Sequence, residues 1–226
     1  MQKFSREIAL IGEENFNKIC NSNIIVFGAG GVGGYVCEFL IRAGVSYLTI
    51  VDFDIVDITN FNRQIIATKS SLGKNKVEVL KNRLLSINEN AQINAINRKL
   101  TNQNITDFNL HKFDYVIDCI DDLQAKFNLV KFCFDNKIKS ISALGAGNKY
   151  CVPNYIVCDI FKTEYDHIGK KLRKFCRENC IKKHNVVYSK VESVKVQDVI
   201  GSIAYHPPAC ASVLSGFVIS DLIKEN

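Results

Sequence analysis

The feature that most constrains this chain is a glycine cluster between an apolar segment and a helical pattern. The apolar run Asn23–Gly28 predicts a buried first strand, and Val32–Ala43 predicts the helix that follows it. Five glycines between positions 28 and 34 permit a tight turn and let the backbone approach a phosphate. The free N–H groups at a helix start attract negative charge. Close packing of strand and helix is the plainer explanation, but so many glycines in one turn favour nucleotide binding through Gly28, Gly30, Gly31 and Gly33.

The remaining pattern alternates strands and helices. Strands are predicted at 47–52, 92–97, 114–119 and 139–144, and helices at 74–87 and 123–136. After Gly147 the periodicity changes to a strand at 154–160, a basic helix at 165–180, a strand at 186–189 and a last helix that opens at Pro207 and Pro208. The sequence therefore predicts a Rossmann-like α/β fold, with a mostly parallel twisted sheet, helices on both faces and an added C-terminal strand and helix portion.

Length and composition predict one domain over residues 1–226. Its portion 1–147 would bind the nucleotide, and its portion 148–226 would face the substrate. The chain is 47% apolar, which suffices for one sizeable core. No apolar run approaches the roughly 20 residues of a membrane span, and the charged N-terminal segment lacks a signal-peptide core, so a cytoplasmic protein is expected. Nine scattered cysteines predict reduced thiols, and the lack of two close cysteine pairs predicts no structural zinc.

An acidic residue follows the glycine cluster at the distance expected of a ribose ligand. Asp52 ends the second predicted strand, 24 residues beyond Gly28. A carboxylate in that place accepts hydrogen bonds from ribose hydroxyls. Binding sites for NAD and FAD share this arrangement, so the glycines and Asp52 leave the identity of the nucleotide open.

Three further motifs follow in order: VDFDIVDITNFNRQ from Val51, SLGKNK from Ser71 and DCIDD from Asp118. With the glycine cluster, they make the chain resemble the ubiquitin-activating superfamily in its small ThiF and MoeB form, over nearly its whole length. The resemblance implies an ATP-dependent adenylating enzyme that uses ATP and Mg²⁺. Several separated motifs in the correct order are far more specific than glycines alone.

The resemblance also implies roles for individual residues. Asp52 would bind the ribose of ATP, and Asn60 and Arg63 would contact its phosphates. Lys76 would neutralise the phosphates in the transition state of adenylation, and Asp121 would hold magnesium. Taken singly, Arg63 and Lys76 would more often be surface charges, and Asp121 a helix cap.

Arg6 resembles the arginine that reaches into the site of a partner subunit in this family, so a homodimer is expected. With Arg63, Lys76 and Asp121 it completes the predicted catalytic set. Adenylation joins a carboxylate to the α-phosphorus of ATP, and both reactants are negative. Cationic groups and a metal are needed because charge builds on the departing pyrophosphate. Taken alone, Arg6 is a surface residue of little energetic consequence.

The second half of the chain resembles the branch of the superfamily that acts on tRNA. That branch adenylates the threonyl carboxylate of N6-threonylcarbamoyladenosine, and the ring then closes with net loss of water. The segment from Lys162 to Lys183 carries eight basic residues against three acidic ones. A solvated helix face is the plain explanation. A sharper one is contact with phosphates of the anticodon arm of tRNA, through Lys170, Lys171, Arg173, Lys174 and Arg177.

Three other functions remain open at this stage. The nearest alternative is an enzyme that adenylates the C-terminal glycine of a ubiquitin-like sulfur-carrier protein. A second is a nucleotide- or RNA-binding module without catalysis, which the presence of Arg63, Lys76 and Asp121 together disfavours. The last is a dehydrogenase, which would not need this set of cations. A shift in melting temperature with MgATP, and none with NADH, separates it from the others.

Overall fold

The computed structural model of the chain describes residues 2–194, 196–197 and 199–224. Within them, seven strands form one sheet in the order β3-β2-β1-β4-β5-β7-β6. The strands are β1 Asn23–Phe27, β2 Tyr47–Asp52, β3 Gln92–Asn97, β4 Tyr115–Asp118, β5 Ser140–Ala143, β6 Tyr155–Asp159 and β7 Asn185–Ser189. The longer helices are α1 Ser5–Ile11, α2 Glu13–Asn21, α3 Gly31–Arg42, α4 Lys76–Ile87, α5 Leu123–Asp135, α6 His167–Glu178 and α7 His206–Ile223.

The parallel part of the sheet follows from its apolar strands. Every residue of β1 from Ile24 to Phe27 is buried, and so is every residue of β4. Strands apolar on both faces are typical of a parallel sheet covered by helices on each side. Phe27 pairs with Val51 of β2 and with Asp118 of β4. The predicted Rossmann-like fold is therefore confirmed.

The added C-terminal portion completes the sheet out of chain order. β7 lies between β5 and β6, parallel to β5 and antiparallel to β6. Between β6 and β7, α6 begins at His167 and not at Tyr165 as predicted. Asp166 caps the helix by accepting a hydrogen bond from the N–H of Gly169 (2.7 Å), and Tyr165 has a left-handed φ of 53°. A residue with that backbone conformation cannot continue a right-handed helix.

Two N-terminal helices, α1 and α2, were not predicted. α1 buries none of its residues, and α2 buries only Phe16 and Ile19. Gly12 separates the two helices with a φ of 82°, and as the N-cap of α2 it has no side chain to accept a capping hydrogen bond. Helices this short are marginal alone, because most helix stability comes from tertiary packing. Their apolar pattern was accordingly too brief to recognise.

The largest core cluster unites the two ends of the chain. Cys210, Leu214 and Val218 of α7 pack in one cluster with Val36 and Leu40 of α3. The two portions named from the sequence therefore share one hydrophobic core. Among the described residues, no helix combines the length and apolar character needed to cross a membrane.

Candidate functional site

The glycine cluster at positions 28–34, here called the glycine loop, lies at the carboxyl ends of β1 and β4. Gly28 has a φ of 93°, and a Cβ placed on it would come within 2.6 Å of the carbonyl oxygen of Cys119. A Cβ on Gly33 would collide with the carbonyl oxygen of Gly28. Any side chain at either position would therefore push the loop, the helix or the β4 end out of place. The glycines bring the backbone of the loop against β4, and at the start of α3 a Cβ on Gly31 would lie 3.3 Å from Cβ of Pro207.

The start of α3 has the free donors that bind anions. The first backbone bond at this end runs from the N–H of Gly34 to the carbonyl of Gly30 (3.0 Å). The N–H groups of the first helical turn precede that bond and lie at the positive end of the helix dipole. Gly30 and Gly31 form the approach to these donors. A phosphate is the kind of group that such a helix start binds.

Asp52 is tied directly to the glycine loop. Its Oδ2 accepts a hydrogen bond from the N–H of Ala29 (2.6 Å), and its Oδ1 accepts one from the N–H of Asp54 (2.8 Å). These two bonds fix the carboxylate at the end of β2 beside the loop. Each carboxylate oxygen has a further lone pair that can accept a bond from a ribose hydroxyl. The geometry fits the predicted ribose contact.

Lys76 is held at the same edge by an acidic residue that was not predicted as part of the site. Its Nζ lies 2.8 Å from Oδ2 of Asp54, and only 5% of Lys76 is exposed. The N–H of Lys76 also donates to the carbonyl of Asp54 (3.0 Å). Lys76 is the first residue of α4. A positive charge at a helix N-terminus is disfavoured by the helix dipole, so the stability of α4 does not explain why a lysine occupies this position. Asp54 could have been noticed, since it stands two residues after Asp52.

Asn60 and Arg63 lie on one short turn. Asn60 is buried, and its Oδ1 accepts a hydrogen bond from the N–H of Asp57 (3.0 Å). Arg63 donates from Nη1 to the carbonyl oxygen of Thr59 (2.7 Å), and a Cβ on Gly31 would be 3.7 Å from its Cγ. The turn thus brings Arg63 beside the glycine loop, and the phosphate contact that the resemblance implies for it stays a prediction.

Asp121 is exposed in the loop that follows β4. The ends of this loop are anchored on either side of Asp121. Oδ1 of the buried Asp118 accepts a bond from the N–H of Ile120 (3.0 Å), and Asp122 caps α5 by accepting from the N–H of Ala125 (3.0 Å). Across the described ranges, no three histidine, cysteine or acidic side chains are grouped as a metal site. Within the described part of the chain, the exposed carboxylate of Asp121 makes no ion pair, and it follows the carboxyl end of β4, against which the glycine loop packs.

A buried ion pair underlies that loop. Lys126 is 0% exposed, and its Nζ lies 2.7 Å from Oδ2 of Asp118, which is 2% exposed. The same Nζ donates to the carbonyl oxygen of Ala143 (3.0 Å). These contacts join α5 to the carboxyl ends of β4 and β5. Sequence reasoning missed this pair, although both residues bracket the predicted Asp121.

Two loops of the second portion are bonded to each other and to the turn that carries Arg63. The N–H of Asn148 donates to the carbonyl of Gly201 (2.7 Å), and the N–H of Gly201 donates to Oδ1 of Asn148 (2.6 Å). Asn62 on the Arg63 turn donates to the carbonyl of Ser202 (2.9 Å). Lys149 is buried and donates to Oγ of Ser193 (2.9 Å), and burial lowers the pKa of its ammonium group. The segment 199–203 is thus fixed next to Arg63.

Arg6 is not near the glycine loop of its own chain. It is exposed on α1. The neighbouring Lys3 pairs with Glu89 (2.7 Å), just before β3 begins, so α1 starts near the amino edge of the sheet. The loop, Asp52 and Lys76 occupy the carboxyl edge. Participation of Arg6 in catalysis therefore requires a second copy of the chain and stays a prediction.

The basic residues of α6 are not equivalent. Lys170, Lys171, Lys174 and Arg177 are exposed, whereas Arg173 is half-buried and donates to the carbonyl and hydroxyl oxygens of Thr163. Lys174 is 3.8 Å from Glu178 on the same helix, an exposed pair of little strength. The helix thus presents four cations to solvent, and the fifth anchors it to the segment after β6.

All nine cysteines are free thiols, as predicted. Cys210 is the fifth residue of α7, near the helix start where the dipole favours a thiolate, but it is fully buried. Burial raises the pKa of its thiol to about 12. Burial also raises the pKa of Cys119, beside the glycine loop, well above its ordinary value. A protonated thiol is a poor nucleophile, so neither residue is suited to covalent catalysis.

Comparison with known proteins gives consistent matches. The ThiF family model matches residues 4–215. A tRNA threonylcarbamoyladenosine dehydratase of Bacillus subtilis is 33% identical over 244 residues, covering 100% of this chain and 96% of the relative. The crystal structure of E. coli tRNA N6-threonylcarbamoyladenosine dehydratase, TcdA, in complex with AMP superimposes with a TM-score of 0.93 at 28% identity, covering 98% of this chain and 94% of that one. Its complex with ATP gives a TM-score of 0.92, at 28% identity and with 98% and 93% coverage.

Proposed function

The chain belongs to the ThiF family, and on that premise we propose that it is an ATP-dependent enzyme that acts on tRNA. It adenylates the carboxylate of N6-threonylcarbamoyladenosine and promotes cyclisation of the modified base with net loss of water. One observation carries the proposal. At the carboxyl ends of the parallel strands, the structure brings together the glycine loop, Asp52, Arg63 and Lys76. The substrate follows from relatives of similar length that bear this activity in their names.

ATP fits this edge of the sheet. The carboxylate of Asp52 receives the ribose, and the start of α3 receives a phosphate. Asn60 and Arg63 contact the phosphate chain, and Lys76 extends from its pair with Asp54 to the same chain. The relatives of known structure bound AMP and ATP.

Mg²⁺ fits the exposed carboxylate of Asp121. Magnesium in nucleotide sites is held by one or two carboxylates together with phosphate oxygens, and it retains several waters. One free carboxylate is therefore a sufficient protein contribution, and a cluster of three acidic side chains is not required. When bound, the ion neutralises charge on the phosphates. The pair Lys126–Asp118 positions the loop from which Asp121 projects.

The chemistry proceeds in two steps. In the first, an oxygen of the substrate carboxylate bonds to the α-phosphorus of ATP, and the bond from that phosphorus to pyrophosphate breaks. Lys76 and Arg63 stabilise the charge that accumulates on the departing pyrophosphate. In the second, a nucleophilic atom within the threonylcarbamoyl group attacks the activated carbonyl carbon. AMP leaves with the former carboxylate oxygen, and one proton is released. No protein nucleophile is needed for either step.

The proposal includes a homodimer in which Arg6 of one copy reaches the phosphates of the other. What supports it is the exposure of Arg6 on α1, on the side of the molecule away from its own glycine loop. A guanidinium supplied from a partner subunit adds positive charge where the transition state is most negative. Activity on tRNA also agrees with a cytoplasmic location.

The direct test is nucleoside mass spectrometry. tRNA that carries N6-threonylcarbamoyladenosine is incubated with the protein and MgATP, then digested to nucleosides. We expect the modified nucleoside to lose the mass of one water, with release of AMP and pyrophosphate. ATP omission and Lys76→Met are the controls that should prevent the change.

A negative result would separate the alternatives. If folded protein binds ATP but leaves the nucleoside unchanged, the tRNA assignment fails. Adenylation of a ubiquitin-like carrier that ends in Gly-Gly would then support the sulfur-carrier function. If the protein binds no ATP, the adenylating function itself fails.

We further propose that the exposed cations of α6 contact tRNA phosphates of the anticodon arm. Lys170, Lys171, Lys174 and Arg177 are exposed, so they can approach a phosphate backbone without unfolding. Arg173 supports this surface by fixing the helix to Thr163. Phosphate contacts of this kind carry no sequence information, but they orient the nucleic acid and depend strongly on salt.

Reversing two of these charges, Lys170→Glu with Lys174→Glu, is expected to weaken tRNA affinity roughly 10-fold or more. The dependence of log K on log salt should become shallower by about 2, one for each lost phosphate contact. Binding measured by fluorescence anisotropy over a salt series tests both values. The matched control is Lys112→Glu with Lys137→Glu, two exposed lysines near the amino edge of the sheet. Equal effects of the two pairs would contradict a specific tRNA surface on α6.

A further inference from the structure

Gln64 carries an unpaired polar group beside the glycine loop. It is 7% exposed, and its Oε1 is buried without a hydrogen-bond partner among the described residues. A buried amide oxygen without a partner is destabilising, and native proteins contain few of them. Only one other side-chain atom in the described part of the chain shares this condition, Oγ of Ser215 on α7.

The position of the amide relates it to the nucleotide site. A Cβ on Gly30 would lie 3.8 Å from Nε2 of Gln64, and a Cβ on Gly31 would lie 3.7 Å from Cγ of Arg63. Two consecutive residues thus lie against two consecutive glycines at the start of α3. The backbone of the turn is closed by a hydrogen bond from the N–H of Gln64 to the carbonyl of Asn60 (2.9 Å).

We infer that the side-chain amide of Gln64 binds the phosphate chain of the nucleotide at Gly30, by donating from Nε2 to a phosphate oxygen. The inference rests on the proposed ATP-dependent function and adds a ligand residue to it. A hydrogen bond from an amide to a charged oxygen is stronger than a bond between neutral groups. The bond is made by Nε2 and leaves Oε1 without a partner. The cost of the buried oxygen is therefore present with and without nucleotide, and the bond from Nε2 adds only to affinity.

This arrangement predicts opposite effects on stability and on binding when the amide is removed. Gln64→Met keeps the size of the side chain but removes both polar ends. We expect the melting temperature of the nucleotide-free protein to rise by about 2–4 °C, because the unpaired oxygen is gone. We expect the Kd for MgATP to increase about 10- to 100-fold, since a charge-assisted bond is lost. The measurements are thermal unfolding and calorimetric titration with MgATP.

Gln64→Glu identifies which part of the nucleotide is contacted. A carboxylate of the same shape would repel a phosphate, so we expect weaker MgATP binding than in Gln64→Met. If the Gln64→Glu variant bound MgATP as tightly as the native protein, the side chain would be in contact with a donor such as a ribose hydroxyl. The phosphate assignment would then be overturned. Gln92→Met is the matched control, at an exposed position that begins β3 at the opposite edge of the sheet.

The remaining outcomes also decide the matter. A lower melting temperature with an unchanged Kd for MgATP would show that Gln64 has only a structural role. A native protein that fails to bind MgATP would remove the proposed function together with this inference. Binding by the native protein and by Gln64→Met with equal Kd would overturn the inference alone.

Discussion

Lys76→Met is expected to lower the rate of acyl-adenylate formation by roughly 10²- to 10³-fold, the usual effect of losing one preorganised charge at a reacting centre. Lys76 is almost fully buried at the first position of α4, where the helix dipole disfavours a cation. Asp54 offsets its charge in the absence of nucleotide. The anionic nucleotide proposed for this site would account for a lysine in so unfavourable a place. ATP–pyrophosphate exchange in the presence of modified tRNA measures the effect.

Lys74→Met is the matched control for this experiment. Lys74 belongs to the same GKNK segment, two residues before Lys76, but it is exposed. Its removal should change the exchange rate by less than about 2-fold, because an exposed charge is screened by solvent. Thermal unfolding should show that both variants are folded. Equal losses in the two variants would mean that general positive charge, and not the position of Lys76, drives catalysis.

Lys126→Met is expected to lower the free energy of unfolding by about 3–5 kcal/mol, the effect typical of breaking a buried ion pair by removing one partner. The variant leaves the carboxylate of Asp118 in the core without a counter-charge. It also removes the bond from Nζ to the carbonyl of Ala143. Domains of this kind have a total stability of roughly 5–15 kcal/mol, so the loss would be a large part of it. Urea unfolding at neutral pH measures the change.

A second variant on the same helix provides the comparison. Lys131 pairs with Asp135 on the surface of α5, so Lys131→Met should change stability by no more than about 0.5 kcal/mol. Combining Lys126→Met with Asp118→Leu should recover much of the loss, because the uncompensated charge is removed as well. The role assigned to the pair would be untenable if Lys126→Met and Lys131→Met had equally small effects.

The central fold and the position of the glycine loop could be predicted from the sequence because their determinants are local, whereas the roles of the individual site residues stay predictions. A buried strand such as Asn23–Phe27 is recognised in the sequence as an apolar run. The glycine loop is recognised because few other structures require so many glycines in one turn. Asp52 follows from its place at a strand end. These features lie within a few residues of one another, so spacing alone describes them.

The rest depends on contacts between distant parts of the chain, which spacing does not reveal. β7 lies between β5 and β6 in the sheet, and nothing in its sequence predicts that place in the strand order. Arg173 belongs to a basic run, but its bond to Thr163 depends on how α6 packs after β6. Lys126 offered a weak indication, since it shares the buried face of α5 with Val130 and Cys133. Gln64 offered none beyond its place after Arg63.

The packing of α7 against α3 determines when a growing chain can complete its fold. The ribosome delivers α3 early and α7 last, yet Leu214 and Val218 share one core with Val36 and Leu40. Until α7 leaves the exit tunnel, the face of α3 that it covers stays in water, and such exposed apolar surface promotes aggregation. Synthesis must therefore pass α7 before α3 has the partner that buries its apolar face.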